Sequence, residues 1–101
     1  MMYLLSENDS ESLQIWLIEL KEFQLDSMFD TNVMARAYLY TNSVSILESG
    51  RDFVKALVGE NNKYEAEIIL KDKLIQGRCS CLYDGKCKHL AALILVLISS
   101  K

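Results

Sequence analysis

All three cysteines and the one histidine of this chain fall within eleven residues near its end, in the order Cys79-Ser80-Cys81, a five-residue spacer, then Cys87-Lys88-His89. Three thiolates and an imidazole complete the tetrahedral shell that zinc prefers in structural sites. The spacing constrains the backbone as well as the chemistry. Tyr83-Asp84-Gly85 reads as a turn between the two pairs, so Cys79 and Cys81 are expected at the end of a strand. Cys87 and His89 are expected on the first turn of the final helix, where the positive end of the helix dipole favours a thiolate. The rival readings explain less of the cluster. A Cys79–Cys81 redox pair leaves Cys87 and His89 idle. A Cys87–His89 nucleophile and base lacks a third group to orient the imidazole. Four unrelated core residues would not be expected to crowd together.

The rest of the chain is read around this site. Leu13, Trp16, Leu17, Leu20 and Phe23 recur at helical spacing, which predicts an amphipathic helix over 11–24 with Asp9 or Ser10 as its cap. Ile15 and Ile18 lie off that stripe and predict a wide buried face. Residues 29–35 read as a connection. From Arg36 the period changes to two. Short segments rich in Tyr, Val and Ile (36–40, 43–47, 52–59, 63–71 and 74–79) are separated by turn formers such as Asn61-Asn62 and Asp72-Lys73. Tyr64, Ala66, Ile68 and Leu70 alternate with Glu65 and Glu67, which predicts a strand with one wet face. The expected fold class is α+β: an N-terminal helix, an antiparallel meander of four to five short strands, the zinc site and an apolar C-terminal helix. The expected organisation is a helical segment over 1–34 followed by a zinc-binding domain over 35–101.

Half of the residues are hydrophobic and a quarter charged, a globular composition. The clustered, odd number of cysteines argues against a disulfide framework. The N-terminus lacks the basic start of a secretory signal, and the nine-residue run from Leu90 to Ile98 is half of what a membrane span needs. The expected location is therefore the cytoplasm, with no membrane partner. The net charge of −3 hides an asymmetry: residues 1–62 carry ten acids and four bases, whereas residues 63–101 carry four acids and seven bases. Lys71, Lys73, Arg78, Lys86 and Lys88 are candidate phosphate contacts and Tyr83 a candidate stacking platform for nucleic acid. These same cations would also serve simply to offset the charge of the thiolates.

The sequence Cys-Ser-Cys, then Cys-Lys-His-Leu-Ala-Ala leading into an apolar helix, resembles the SWIM zinc finger, with its Cys-x-Cys, variable spacer and Cys-x-His. The likeness runs from about Ala35 to Ile98. The spacer is at the short end for the family, as in examples attached to bacterial Snf-type ATPases, and Leu82 stands where those often have proline. The resemblance implies Zn2+ as the cofactor and Cys79, Cys81, Cys87 and His89 as its ligands. It also implies a binding module, of the kind appended to Snf-type ATPases and Mutator-like transposases or found in Sws-type recombination mediators. The first expectation is a non-catalytic module that binds nucleic acid within a DNA-handling or regulatory assembly, with no small-molecule substrate. The alternative is a protein-interaction adaptor or homodimer. In that reading His89, Ala92, Leu93 and Val96 pack inward, while Leu90, Ile94, Leu97 and Ile98 reach a partner across a surface that the N-terminal helix covers in part. Against it stands an arrangement in which that helix and the sheet together cover the C-terminal helix.

Overall fold

The computed structural model describes residues 3–7, 12–81 and 87–99. The architecture is α+β. Strand β1 (Tyr3–Glu7) is followed by helices α1 (Leu13–Glu19), α2 (Leu25–Met28) and α3 (Thr31–Ala37), with 3₁₀ turns at Glu22–Gln24 and Tyr38–Ser43. Strands β2 (Val44–Ser49), β3 (Phe53–Val58), β4 (Tyr64–Lys71) and β5 (Leu74–Cys79) come next, then helix α4 (Lys88–Ser99). The five strands form one antiparallel sheet in the order β1-β5-β4-β3-β2. The meander read from the period-two segments is therefore β2 to β5. Asp72 and Lys73 both have positive φ, as a two-residue hairpin turn between right-twisted strands requires.

Strand β1 was not foreseen. Its five residues carry only one buried side chain, Leu5. What makes it a strand is the second edge of β5, whose backbone donors and acceptors it pairs from Tyr3↔Gly77 to Glu7↔Leu74.

The helical region also differs from expectation. Helix α1 begins after Ser12, whose hydroxyl accepts the Ile15 N–H at 3.3 Å; the expected caps Asp9 and Ser10 lie outside the described residues. It ends at Glu19, and the Gln24 side chain accepts the Lys21 N–H at 2.7 Å, a local bond that competes with helix continuation. Leu13, Trp16, Leu17 and Leu20 are buried as read, but Ile15, Ile18 and Phe23 are exposed. The expected strand over 36–40 is instead the end of α3 and a 3₁₀ segment. Val33, Met34 and Ala37 form a buried helical stripe against α4, and that packing overrides the alternation.

The core lies between the inner face of the sheet and the helices. Val54, Ala56, Val58, Ala66, Ile68 and Ile75 line the sheet side. Helix α4 lies on that face and is closed from behind by α1, α3 and the 3₁₀ segment, so every side chain from His89 to Leu95 is buried. A helix apolar around its circumference needs this two-sided cover. Gly77 sets how closely α4 approaches the sheet. A Cβ at that position would stand 3.2 Å from both δ-methyls of Leu90 and 3.1 Å from Leu5 Cδ1.

Candidate metal centre

Cys79 is the last residue of β5 and pairs with Ala66, which places it on the core face of the sheet. One residue further, Ser80 is fastened to the neighbouring strand at both ends. Its N–H donates to the Glu65 carbonyl at 2.9 Å, and its hydroxyl accepts the Glu65 N–H at 2.9 Å. That clasp directs the chain as it leaves the sheet and brings Cys81 back to the side of Cys79. Cys87 immediately precedes α4, where its carbonyl accepts the Ala91 N–H, and His89 is the second residue of the helix. The end of the strand and the start of the helix thus each deliver two donors, with Cys87 one residue ahead of the helix rather than on its first turn.

The donor atoms of Cys79, Cys81, Cys87 and His89 all lie within 4.8 Å of one another. His89 turns Nδ1 toward the cluster, 3.6 Å from Cys79 Sγ. Zinc–sulfur bonds of about 2.3 Å and zinc–nitrogen bonds of about 2.0–2.1 Å at a tetrahedral angle require an S···N edge of about 3.6 Å. The residues therefore fit a tetrahedral zinc ion. With three sulfurs and one nitrogen supplied by the protein, the shell is closed, the arrangement of a structural rather than a catalytic site.

Two of the three thiols, Cys79 and Cys87, are already differentiated by their contacts. Hydrogen bonding to Cys79 is the largest cause of a Cys87 thiol held down at about 4; burial opposes it, while His89, the Leu90 N–H and Cys81 assist. The same bond to Cys87, followed by burial, pushes Cys79 well above the ordinary thiol range. The two thiols are thus driven apart, Cys79 toward the protonated form and Cys87 toward the thiolate. Both must be thiolates when they hold a metal ion.

His89 is itself held between aromatic rings. The Tyr64 ring lies 4.6 Å from the imidazole centroid at an interplanar angle of 31°, and Tyr40 meets it edge-on at 5.3 Å and 77°. The Lys88 ammonium sits 4.9 Å from the Tyr40 centroid. Both tyrosines also line a cleft of about 790 Å³ whose wall includes Cys81, Cys87 and His89. Neither was singled out from the sequence. The only signal for Tyr64 was its inward register on β4, and Tyr40 was read as part of a strand that does not form.

The candidate nucleic-acid contacts are not brought together. Arg78 alternates with Cys79 along β5 and so faces the opposite side of the sheet. There its Nε donates to Glu67 at 2.8 Å and its Nη2 lies 3.9 Å from Glu65, which Lys55 also approaches at 3.8 Å. This explains why Glu67 is buried on the face expected to be wet. Lys71 and Lys73 are at the β4–β5 turn, five residues along the strand from Cys79, roughly 17 Å away. Lys88 alone of the described set adjoins the metal centre. Tyr83 and Lys86 lie outside the described residues. The candidate partner contacts are corrected in part. Leu90 and Ile94 are fully buried within their own chain, because the sheet and α3 take up the sides of α4 that the N-terminal helix leaves open. Leu97 and Ile98 are half-buried and pack against the core.

Residues 59–98 match the family model of the SWIM zinc finger. The match takes in the β3–β4 turn, β4, β5, all four donors and α4 to Ile98. No curated protein and no solved structure matches the chain. Among the described residues, no helix is long and apolar enough to cross a membrane.

Proposed function

With a SWIM zinc finger over residues 59–98 as its premise, we propose that the chain is a non-catalytic, zinc-stabilised module that binds a polypeptide segment of a partner protein in the cleft beside the metal, in the cytoplasm. The donor set selects zinc over harder cations, since soft thiolates favour it. The closed shell leaves no open position for a substrate or an activated water.

The observation that carries the choice of ligand is the placement of charge. Binding a phosphate backbone requires several unpaired cations on one surface. Here Arg78 is committed to Glu67 on the far face, and Lys71 and Lys73 stand at the other end of the sheet. Among the described residues the cleft is instead balanced, with Arg36 and Lys88 against Asp30 and Glu60. At its rim Leu39 is 79% exposed, an apolar anchor with no cover. A polypeptide offers both signs of charge and an apolar side chain in one extended segment. The acidic charge of the whole chain also disfavours nucleic acid.

The test is a peptide-display selection on the zinc-loaded protein, run beside titrations with labelled single- and double-stranded DNA and RNA at low salt. Enriched peptides should lose affinity at least tenfold on Leu39→Asp and on Arg36→Glu, with little change between low and moderate salt. Nucleic-acid binding with a salt slope of several phosphate contacts, lost on Arg36→Ala with Lys88→Ala, would instead establish the nucleic-acid reading.

A further inference from the structure

We infer that Tyr40 and Tyr64 are positioning residues for the metal centre: their rings fix the His89 imidazole so that Nδ1 reaches the site before metal arrives. The inference rests on the zinc reading. A histidine ligand is ordinarily oriented by a hydrogen bond from its second ring nitrogen to a carboxylate or carbonyl. Among the described residues, the contacts of the His89 ring include the Cys79 thiol at Nδ1, the Cys87 thiol and two aromatic rings. These rings act in different directions. Tyr64, at 4.6 Å and nearly parallel, closes one face and blocks rotation toward β4. Tyr40, at 5.3 Å and nearly perpendicular, bounds the ring from the 3₁₀ segment. Both separations fall in the range where aromatic pairs attract beyond simple burial.

The clamp is assembled from three separate parts of the chain. Tyr64 comes from β4, with Val58 as its partner across the hairpin, and Tyr40 from the segment before β2. His89 comes from α4, and its own neighbour Lys88 places a cation against the Tyr40 ring. His89 as a residue is only 4% exposed, so its ring is held among protein groups rather than in solvent. A ligand held in this way loses less conformational freedom on binding metal.

The experiment compares wild type with Tyr64→Leu, Tyr64→Phe, Tyr40→Leu and Tyr40→Phe, each as the full chain. Zinc affinity is measured by chelator competition, and the cobalt-substituted proteins give the ligand-field spectrum. Ile75→Val, in the core of β5 away from the cluster, serves as a control for stability alone. Both leucine variants should lose about tenfold or more in zinc affinity, the cost usual for removing an outer-sphere partner. Their cobalt spectra should shift toward a site in which water replaces nitrogen. The phenylalanine variants should behave as wild type, because the ring and not the hydroxyl does the positioning. Leucine variants within twofold of wild type, unchanged cobalt spectra, phenylalanine variants as impaired as leucine, or an equal loss in Ile75→Val would each overturn the clamp. A wild-type chain that takes up no metal would overturn the zinc reading with it.

Discussion

Replacing Leu90 by alanine tests whether α4 is core or interface, and pairing it with Gly77→Ala tests how the helix is seated. Leu90 is 0% exposed and its δ-methyls lie against the bare backbone of Gly77. The substitution removes three buried carbons, a transfer loss of about 2.4 kcal/mol. The void adds to this, because a strand backbone cannot move in to fill it, giving about 3–4 kcal/mol in all. Gly77→Ala alone introduces a Cβ at 3.1–3.2 Å from Leu5 and Leu90, closer than comfortable packing allows. Overpacking of that kind costs roughly 1–3 kcal/mol, offset by up to about 1 kcal/mol from the stiffer unfolded chain. Its net cost is therefore about 1 kcal/mol. In the double variant the new methyl occupies part of the space the leucine vacated, so the combined cost should fall short of the sum by about 1 kcal/mol or more. Urea denaturation at one fixed free-zinc concentration measures all four proteins, since bound metal contributes to apparent stability by mass action. Additivity within about 0.5 kcal/mol would refute the close seating of α4 on Gly77. A Leu90→Ala cost below about 1 kcal/mol, with altered association instead, would put the side chain back on the surface.

Removal of zinc by a chelator, or Cys87→Ser, should unfold most of the domain, since structural sites supply on the order of 10 kcal/mol; circular dichroism melts with metal analysis check this, and an unchanged melting temperature without metal refutes it. Zinc binding at neutral pH should release at least one proton, because Cys79 holds its proton above the ordinary thiol range while Cys87, at about 4, is already a thiolate. Affinity should accordingly rise with pH, and a calorimetric enthalpy that does not vary with buffer ionisation would contradict this. Arg78→Ala should cost about 1–2 kcal/mol by leaving the buried Glu67 without its 2.8 Å partner, the exposed half of the arginine tempering the loss. It should leave zinc content at one per chain; a fall in zinc content or a neutral effect on stability would each contradict the placement of that pair.

Information carried by local spacing was legible in the chain itself. The Cys-x-Cys and Cys-x-His pairs named the four donors, because a ligand's residue type and its distance along the chain are sequence properties. Alternation named β2 to β5, and the Leu13, Trp16, Leu17, Leu20 stripe named α1, because each element must turn its apolar side one way. Long-range packing set the rest. Tyr3 to Glu7 is a strand because β5 has a second edge to fill, which no residue in that stretch announces. Arg36 to Tyr40 alternates like a strand yet continues a helix, because α4 needs Val33, Met34 and Ala37 on its back. That same cover turned Leu90 and Ile94 from partner contacts into core. Arg78 left the cationic set once the sheet register set it beside Glu67, and Tyr40 and Tyr64 acquired a role only when strand, 3₁₀ turn and helix met around His89. A side chain's chemistry travels with its letter, but its neighbours across the sheet and behind the helix are fixed by contacts that span the whole fold.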